Sequence, residues 1–381
     1  MARIILGSYM VRYPLGGNLS WALQWLIGFQ QLGHDIYFVE KSGYSEACFD
    51  PVRGIMSDDC SYGIKTISTL LERFDLQNRW CFVDAEGIYY GISRRDVESI
   101  FKAADMFIDM GTHGSWLEEA ANVGLRVLVE AEPGYTQMKM EKKLDHGESL
   151  PEYDYYYTIG QNIGTARSSA PTAGCSWRPV FNPVVLDLFP LRPVGKNAPF
   201  TTVMNWQAHE PIQFRGNTYG QKDMEFNKFL NLPHLTDIPL EIAVAGKQTP
   251  KDHLIDYGWR VRDAIEVTLS FDSFREYIQK SKGEFSVCKN VFFATKSGWF
   301  SDRSAAYLAS GRPVVAQETG FSFHLPCGHG LFAVETVNEA RDAIVEIITN
   351  YERHSSWARE LAFEYLEARK VLKRFLGELD A

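Results

Sequence analysis

Short apolar runs alternate with amphipathic segments along the chain, and the pattern is clearest in the first forty residues. An apolar strand at residues 3–6 leads into a glycine-containing loop at 14–18, a helix at 20–31 and a second strand at 36–40. This order of strand, helix and strand is typical of the opening unit of a parallel sheet with helices on its faces. The pattern therefore predicts an α/β fold.

The same alternation continues to the end of the chain. We predict further strands at residues 106–109, 126–130, 200–205, 240–245, 284–287, 290–294 and 313–317. Helices are predicted at residues 116–123, 225–230, 273–281, 301–310, 338–350 and 355–376. Residues 185–200 contain three prolines and little periodicity, as is typical of a linker. The pattern thus predicts two domains, one of residues 1–187 with a C-terminal helix at 355–379, the other of residues 198–354.

Length and hydrophobicity agree with this division. A chain of 381 residues exceeds one ordinary α/β core and fits two domains of about 150–200 residues each. No stretch approaches the roughly 18 uninterrupted apolar residues that a membrane helix needs, so we expect no integral membrane segment. Residues 1–8 predict a strand and not a signal peptide, and we expect a soluble, cytoplasmic protein.

Charge and cysteine content exclude further classes of function. A formal net charge of −9 lacks the general positive field that non-specific nucleic-acid binding requires. The six cysteines include no CxxC pair, which argues against a zinc site and against a disulfide framework. A local basic pocket for one diphosphate is still compatible with this composition.

The strongest pattern for ligand binding is at residues 296–321, KSGWFSDRSAAYLASGRPVVAQETGF. A flexible turn precedes a helix whose start presents free N–H groups, and an arginine beside that start suits a phosphate. The end of the strand at 313–317 is the place where open α/β sheets bind ligands. The candidate binding residues of this segment are Ser297, Gly298, Ser301, Asp302, Arg303, Ser304, Thr319 and Gly320.

This segment resembles nucleotide-sugar glycosyltransferases of the GT-B fold. The run SDRSAAYLASGRPVV at 301–315 is similar to the donor-binding helix and strand of that superfamily, and QETGF at 317–321 resembles the sugar-facing loop that follows. Gly16 and Gly17 match the glycine loop of its first domain. The resemblance implies two Rossmann-like domains that face a central cleft, with the C-terminal helix crossing back to the first domain.

The resemblance also implies an activity. A nucleoside-diphosphate sugar would be held by the second domain as co-substrate, and the first domain would bind a small-molecule, glycan or lipid acceptor, with no bound metal or other cofactor. Many retaining members carry two glutamates eight residues apart, and the aligned positions here are Gly298 and Ala306. Glu318 is the carboxylate that we expect to act in their place.

Three basic residues are candidates for the donor diphosphate. Arg215 and Lys222 lie in the long loop at 206–222, and Lys247 follows the strand at 240–245. In the fold that this chain resembles, the loop after the first strand of the second domain offers a cation to the diphosphate, whose leaving-group charge the transition state must neutralise. Solvated surface charge is the alternative role for each of the three.

Two further residues, with Glu318, are candidates for the chemical step. His113 follows the strand at 106–109 beside two glycines, and Glu132 precedes a Pro-Gly turn after the next strand. A histidine or carboxylate at such a strand end can act as general base on an acceptor hydroxyl. We therefore predict His113, Glu132 and Glu318 as the catalytic candidates.

Other functions stay open on the sequence alone. A nucleotide-sugar 2-epimerase uses two similar halves, with carboxylates and a histidine that remove and return a proton. A non-catalytic nucleotide- or sugar-binding protein would retain the fold without the chemistry. A dinucleotide oxidoreductase is disfavoured because the loop PLGGN at 14–18 lacks the GxGxxG pattern.

Overall fold

The computed structural model describes residues 1–246 and 248–379, in which strands and helices alternate. The strands of the first domain are β1 (Arg3–Gly7), β2 (Asp35–Lys41), β3 (Cys48–Asp50), β4 (Ile55–Ser57), β5 (Trp80–Val83), β6 (Tyr89–Gly91), β7 (Met106–Asp109), β8 (Leu125–Glu130), β9 (Tyr155–Thr158) and β10 (Trp177–Pro179). Its helices are α1 (Gly16–Gln31), α2 (Ser61–Glu72), α3 (Arg94–Lys102) and α4 (Tyr135–Asp145).

The second domain repeats this plan. Its strands are β11 (Phe200–Asn205), β12 (Ile212–Phe214), β13 (Asn217–Tyr219), β14 (Leu240–Ala245), β15 (Arg260–Asp263), β16 (Gly283–Ser286), β17 (Val314–Gln317) and β18 (Leu331–Val334). Its helices are α5 (Lys222–Phe226), α6 (Lys251–Asp256), α7 (Ala264–Thr268), α8 (Phe271–Lys280), α9 (Asn290–Ala294), α10 (Asp302–Ala309) and α11 (Val337–Thr349). Two helices, α12 (Tyr351–Leu361) and α13 (Ala368–Leu379), complete the described chain.

Each domain is centred on one twisted sheet. The first sheet has the order β10-β9-β8-β7-β1-β2-β5-β6 and is parallel except for the antiparallel pair β5 and β6. The second has the order β15-β14-β11-β16-β17-β18 and is parallel throughout the described residues. Strand β1 at the centre of the first sheet is mostly apolar because both sheet faces are covered, and its Leu6 lies between Phe38 and Ile108.

Two segments are predicted with the wrong secondary structure. Residues 290–294 form the helix α9 and not a strand, and the predicted helix at 116–123 contains only a 3₁₀ turn at Glu119–Asn122. A run of four apolar residues, as at 291–294, is too short for periodicity to separate a buried strand from a buried helical turn. The helix predicted at 225–230 starts earlier, as α5, and continues as a 3₁₀ turn.

The end of the chain returns to the first domain, which confirms the predicted crossing. Helix α13 packs on α1, where the Phe375 ring lies 5.7 Å from the Trp25 ring and edge-on to it. Gly28 permits this approach, because a Cβ there would lie 2.5 Å from Leu372 Cδ1. The single helix predicted at 355–376 is wrong, however. A π-helical turn at Ala362–Leu366 ends the preceding helix, and the backbone of Val184 then pairs with the chain between the two helices.

No helix at 1–246 or 248–379 meets the length and hydropathy that a membrane-spanning helix requires.

Candidate functional site

A cleft of about 430 Å³ separates the carboxyl ends of the two sheets. The first domain contributes the loop after β1, the start of α1 and the turn after β8. The second contributes the end of β11, Lys222 at the start of α5, and Ser301, Asp302 and Arg303 at the start of α10. The cleft therefore combines the ligand-binding edges of two parallel sheets.

Lys222 is a buried cation in this cleft. The residue is 7% exposed, and its side-chain Nζ forms no hydrogen bond or ion pair with the described residues. Burial is the largest cause that lowers the pKa of Lys222, the positive charges of Arg303 and Lys289 add to it, and together they bring the pKa to about 7. An ammonium group in this position gains most from an anionic ligand. Of the three basic residues predicted to contact a diphosphate, it is the one that the described structure places in the cleft.

The start of α10 faces the cleft beside this lysine. Ser301 caps the helix, and its Oγ accepts the N–H of Arg303 at 3.2 Å. Burial raises the pKa of Asp302, which lines the cleft, although the charge of Arg303 opposes the shift. Ser304 is buried in the helix and is not among the residues lining the cleft.

Arg303 reaches the cleft but is held by its own domain. Its Nε donates to Glu284 Oε1 at 2.5 Å, Nη1 to the Val203 carbonyl at 2.7 Å, and Nη2 to Ser286 Oγ at 2.7 Å. The Glu284 side chain is fully buried. The sequence predicts Arg303 as a partner for a phosphate, but in the structure its guanidinium joins β11, β16 and α10.

An ion pair spans the cleft from one domain to the other. The ammonium of Lys289, after β16, donates to both Glu132 carboxylate oxygens, at 2.5 and 2.6 Å. His209 lies on the other side, with its Nε2 3.7 Å from Glu132 Oε2. Burial alone would raise the pKa of Glu132, but Lys289 and His209 overcome that effect and lower it. Glu132 thus lines the cleft as an ionised carboxylate.

The turn predicted to bind the donor has another partner. Asn162 of the first domain donates from Nδ2 to the carbonyls of Lys296 and Gly320, at 3.0 and 3.4 Å, and its backbone N–H donates to the Ser297 carbonyl. A Cβ on Gly298 or Gly320 would lie 2.9 or 2.3 Å from atoms of Asn162. The structure therefore uses Ser297, Gly298 and Gly320 for contact between the domains and not for lining the cleft.

His113 lies in the loop after β7 and does not line the cleft. The buried Asp109 carboxylate accepts the N–H groups of Gly111, Thr112 and Gly114 at 3.1, 2.7 and 2.8 Å. His113 has a φ of +53°, which is uncommon for a residue other than glycine. Desolvation lowers the pKa of His113, and the nearby charges of Lys139 and Arg12 add to the shift.

The remaining predicted residues also lie elsewhere. The Glu318 carboxylate accepts the N–H of Gly320 within its own turn, and Thr319 Oγ1 donates to the Trp299 carbonyl at 2.6 Å. Arg215 is exposed on the hairpin of β12 and β13, where it pairs with Glu141. None of these residues lines the cleft. Lys247 lies outside the described residues.

The two glycines at the start of α1 differ in their surroundings. A Cβ on Gly16 would lie 2.4 Å from Cβ of Phe274 in α8 and 2.5 Å from the carbonyl oxygen of Ser270, which caps that helix. A Cβ on Gly17, which lines the cleft, would meet no atom within 4 Å. Gly16 thus permits contact between the domains, and Gly17 leaves open space in the cleft.

This difference predicts opposite effects of the same substitution. Gly16→Ala should lower the free energy of unfolding by about 1–3 kcal/mol, because the added methyl group overpacks the contact between the domains. Gly17→Ala should leave it unchanged or raise it by about 0.5–1 kcal/mol, because alanine favours the helix. Urea unfolding of the two variants measures both effects, and equal effects would contradict the assignment.

Several cleft residues were missed by the sequence prediction. The first-domain side of the cleft is lined by Tyr9, Tyr13 and Asn182. On the second-domain side, Lys289 donates to Glu132. Lys289 was not predicted as a site residue. The sequence pattern indicates a strand at 290–294, whereas these residues form the helix α9, so Lys289 lies between β16 and that helix. The loop after β1, which contains Tyr9 and Tyr13, could have been predicted from its position, because loops after the strands of doubly wound sheets face the ligand cleft.

No protein-family model matches the chain, and no curated protein matches it significantly in sequence. Solved structures match its fold over nearly the full length. The Anabaena protein Alr3699/HepE in complex with UDP and glucose has a TM-score of 0.56 and 11% identity, covering 100% of both chains. An alpha-glucosyltransferase in complex with UDP and a 13-mer DNA has a TM-score of 0.59 and 10% identity, covering 100% of this chain and 99% of its own. AviGT4, a glycosyltransferase involved in avilamycin A biosynthesis, has a TM-score of 0.56 and 11% identity, covering 99% and 97%.

At identities this low the likeness establishes the fold. The chain has the GT-B architecture, with two Rossmann-like domains about a cleft, and the predicted fold class is confirmed.

Proposed function

We propose that the protein transfers a sugar from a nucleoside-diphosphate sugar to an acceptor within the cleft between its domains. The observation that carries this proposal is Lys222, a residue only 7% exposed that lines the cleft and forms no ion pair in the described chain. Burying an unpaired charge is unfavourable unless a ligand completes the pair. A donor diphosphate would supply that charge.

The surroundings of Lys222 support the same ligand. The start of α10 adds N–H groups and the positive end of a helix dipole on the second-domain side of the cleft. The similar structures named above include complexes with UDP and glucose and with UDP. The proposal places the donor on the second domain and the acceptor on the first.

The proposed chemistry follows from where charge develops. As the bond from sugar to phosphate breaks, negative charge grows on the departing diphosphate, and Lys222 with the start of α10 would stabilise it. Glu132 is the proposed base for the acceptor hydroxyl, because it alone of His113, Glu132 and Glu318 lines the described cleft. Its contact with Lys289 adds a condition, since Lys289 must release one carboxylate oxygen before a hydroxyl can donate to it.

The test is incubation with UDP-, GDP- and dTDP-linked sugars while nucleotide release is measured. We expect one donor class to bind and to release its nucleoside diphosphate slowly to water, with Glu132→Gln retaining binding but slowing release. A new sugar nucleotide formed without an acceptor would instead indicate an epimerase. Binding without release, with or without candidate acceptors, would indicate a non-catalytic protein, and no binding of any donor would overturn the proposal.

Donor affinity should depend on pH through Lys222. The free group has a pKa of about 7, so below that pH it is already charged, and above it the donor must bind together with a proton. Affinity for UDP-glucose should therefore be constant on the acid side and fall by roughly tenfold per pH unit on the alkaline side, until the pKa of the complex is reached. Calorimetry on both sides of neutrality measures this, and Lys222→Met should abolish the slope. An equal slope in that variant would assign the titration to another group.

A further inference from the structure

A second groove, of about 450 Å³, lies beside the donor cleft, between α4 and the hairpin of β12 and β13. The two spaces share a wall. Tyr135, which lines the groove, stacks on His209 with ring centres 4.0 Å apart, and His209 lies 3.7 Å from Glu132 of the cleft. A molecule bound in the groove can therefore extend toward the place where the sugar would be transferred.

Basic side chains line one wall of this groove. They are Lys139, Lys142, Lys143 and His146. Their spacing of three, four and seven residues brings them to one face of a helix. The three lysines are exposed, and none forms an ion pair with any described residue.

The acidic residues nearby form no ion pair with these lysines. Glu141 on the same helix turns to Arg215 of the hairpin, and Glu148 and Glu210 line the groove without contacting a lysine. The whole chain has a net charge of −9, so an unpaired basic face departs from its general character. Such local charge complements a polyanionic group.

We propose that this groove binds the phosphate-bearing end of the acceptor, an inference that rests on the proposed glycosyl transfer. Ammonium groups on neighbouring turns of a helix can approach one phosphate group from several sides. The phosphate belongs either to a lipid headgroup or to a soluble phosphorylated acceptor, and both present the same chemistry to the lysines.

The field of these lysines extends along the first domain. The charges of Lys139 and Lys143 contribute to the lowered pKa of His113, after desolvation, which is the largest cause. His113 follows β7, next to the loop after β1 that lines the cleft. The charge of Asp109 opposes these lysines at His113, so their influence is strongest at the groove itself.

The test compares two variants that carry the same change in net charge. One is Lys139→Glu/Lys142→Glu/Lys143→Glu, and the control is Lys65→Glu/Lys102→Glu/Lys373→Glu, which changes three exposed lysines without ion pairs on other helices. Calorimetry with inorganic pyrophosphate is done with UDP at saturation, so that the donor cleft is filled. Sedimentation uses phosphatidylcholine vesicles with and without phosphatidylglycerol. UDP affinity is measured separately for each protein.

We expect the groove variant to bind at least one probe roughly tenfold more weakly than the wild type and the control, with UDP affinity unchanged. Loss of pyrophosphate binding alone assigns a soluble acceptor, and loss of binding to phosphatidylglycerol vesicles assigns a lipid headgroup. Equal binding by both variants, no binding of either probe, or tighter binding of a duplex oligonucleotide through these lysines would overturn the inference. Absence of binding of UDP, GDP and dTDP alike contradicts the proposed transferase independently, because the two variants still locate the phosphate site.

Discussion

Arg303→Ala should lower the free energy of unfolding by about 3–5 kcal/mol, as expected when one member of a buried ion pair is removed. Its partner Glu284 is fully buried, and Oε2 of that carboxylate already has no hydrogen-bond partner. Without the guanidinium, Oε1 would lose its partner too, as would the Val203 carbonyl and the Ser286 hydroxyl. The second domain should lose most of this stability, because these contacts join β11, β16 and α10.

The matched control replaces both members of the pair. Arg303→Leu/Glu284→Leu leaves no unpaired charge, so it should be more stable than Arg303→Ala even though it removes the same contacts. Urea unfolding followed by circular dichroism measures all three proteins. If Arg303→Ala costs less than about 1 kcal/mol but weakens nucleotide binding, Arg303 is a ligand contact and its structural role is contradicted.

Lys222→Met should weaken binding of the donor by about 1.5–3 kcal/mol, the range for a hydrogen bond to a charged group. Methionine is similar in length and carries no charge, so it fits the buried position while removing the only proposed cation of α5. Because the wild-type ammonium is desolvated and unpaired, the variant should be as stable as the wild type or more stable. The expected pattern is weaker binding without loss of folding.

Lys280→Met is the control for this experiment. Lys280 lies in the same domain, its side chain is 74% exposed, and its ion pair with Glu276 lies on the surface of α8. Exposed pairs of this kind contribute little, so both stability and donor affinity should be close to wild type. Isothermal calorimetry with UDP and thermal unfolding measure the two quantities. A similar loss of affinity in both lysine variants would show that general charge, and not contact with the diphosphate, governs binding.

Much of the fold could be predicted from local pattern. The predicted strands at 106–109, 200–205 and 240–245 coincide with β7, β11 and β14, because short segments rich in apolar residues are a local signal for strands covered on both faces. The helix predicted at 301–310 also matches α10 with Ser301 as its cap, since a serine before a helical pattern is a local signal.

The candidate site was less predictable because its contacts join residues distant in sequence. Nothing near Arg303 indicates that Glu284 will take its charge, and nothing near Gly298 or Gly320 indicates that Asn162 will fill the space beside them. Glycines beside a strand end are typical of a ligand loop and of a close contact between domains alike. Lys222 was found because its position after β11, and not its local sequence, is what places it in the cleft.

A crystal structure of the protein with UDP tests the central claim most directly. We expect the diphosphate in the cleft, with its oxygens within hydrogen-bond distance of Lys222 Nζ and of the N–H groups at the start of α10, while Arg303 retains its contacts with Glu284. A nucleotide bound elsewhere, or a cleft left unfilled at saturation with UDP, GDP and dTDP in turn and with Lys222 still unpaired, would contradict the account.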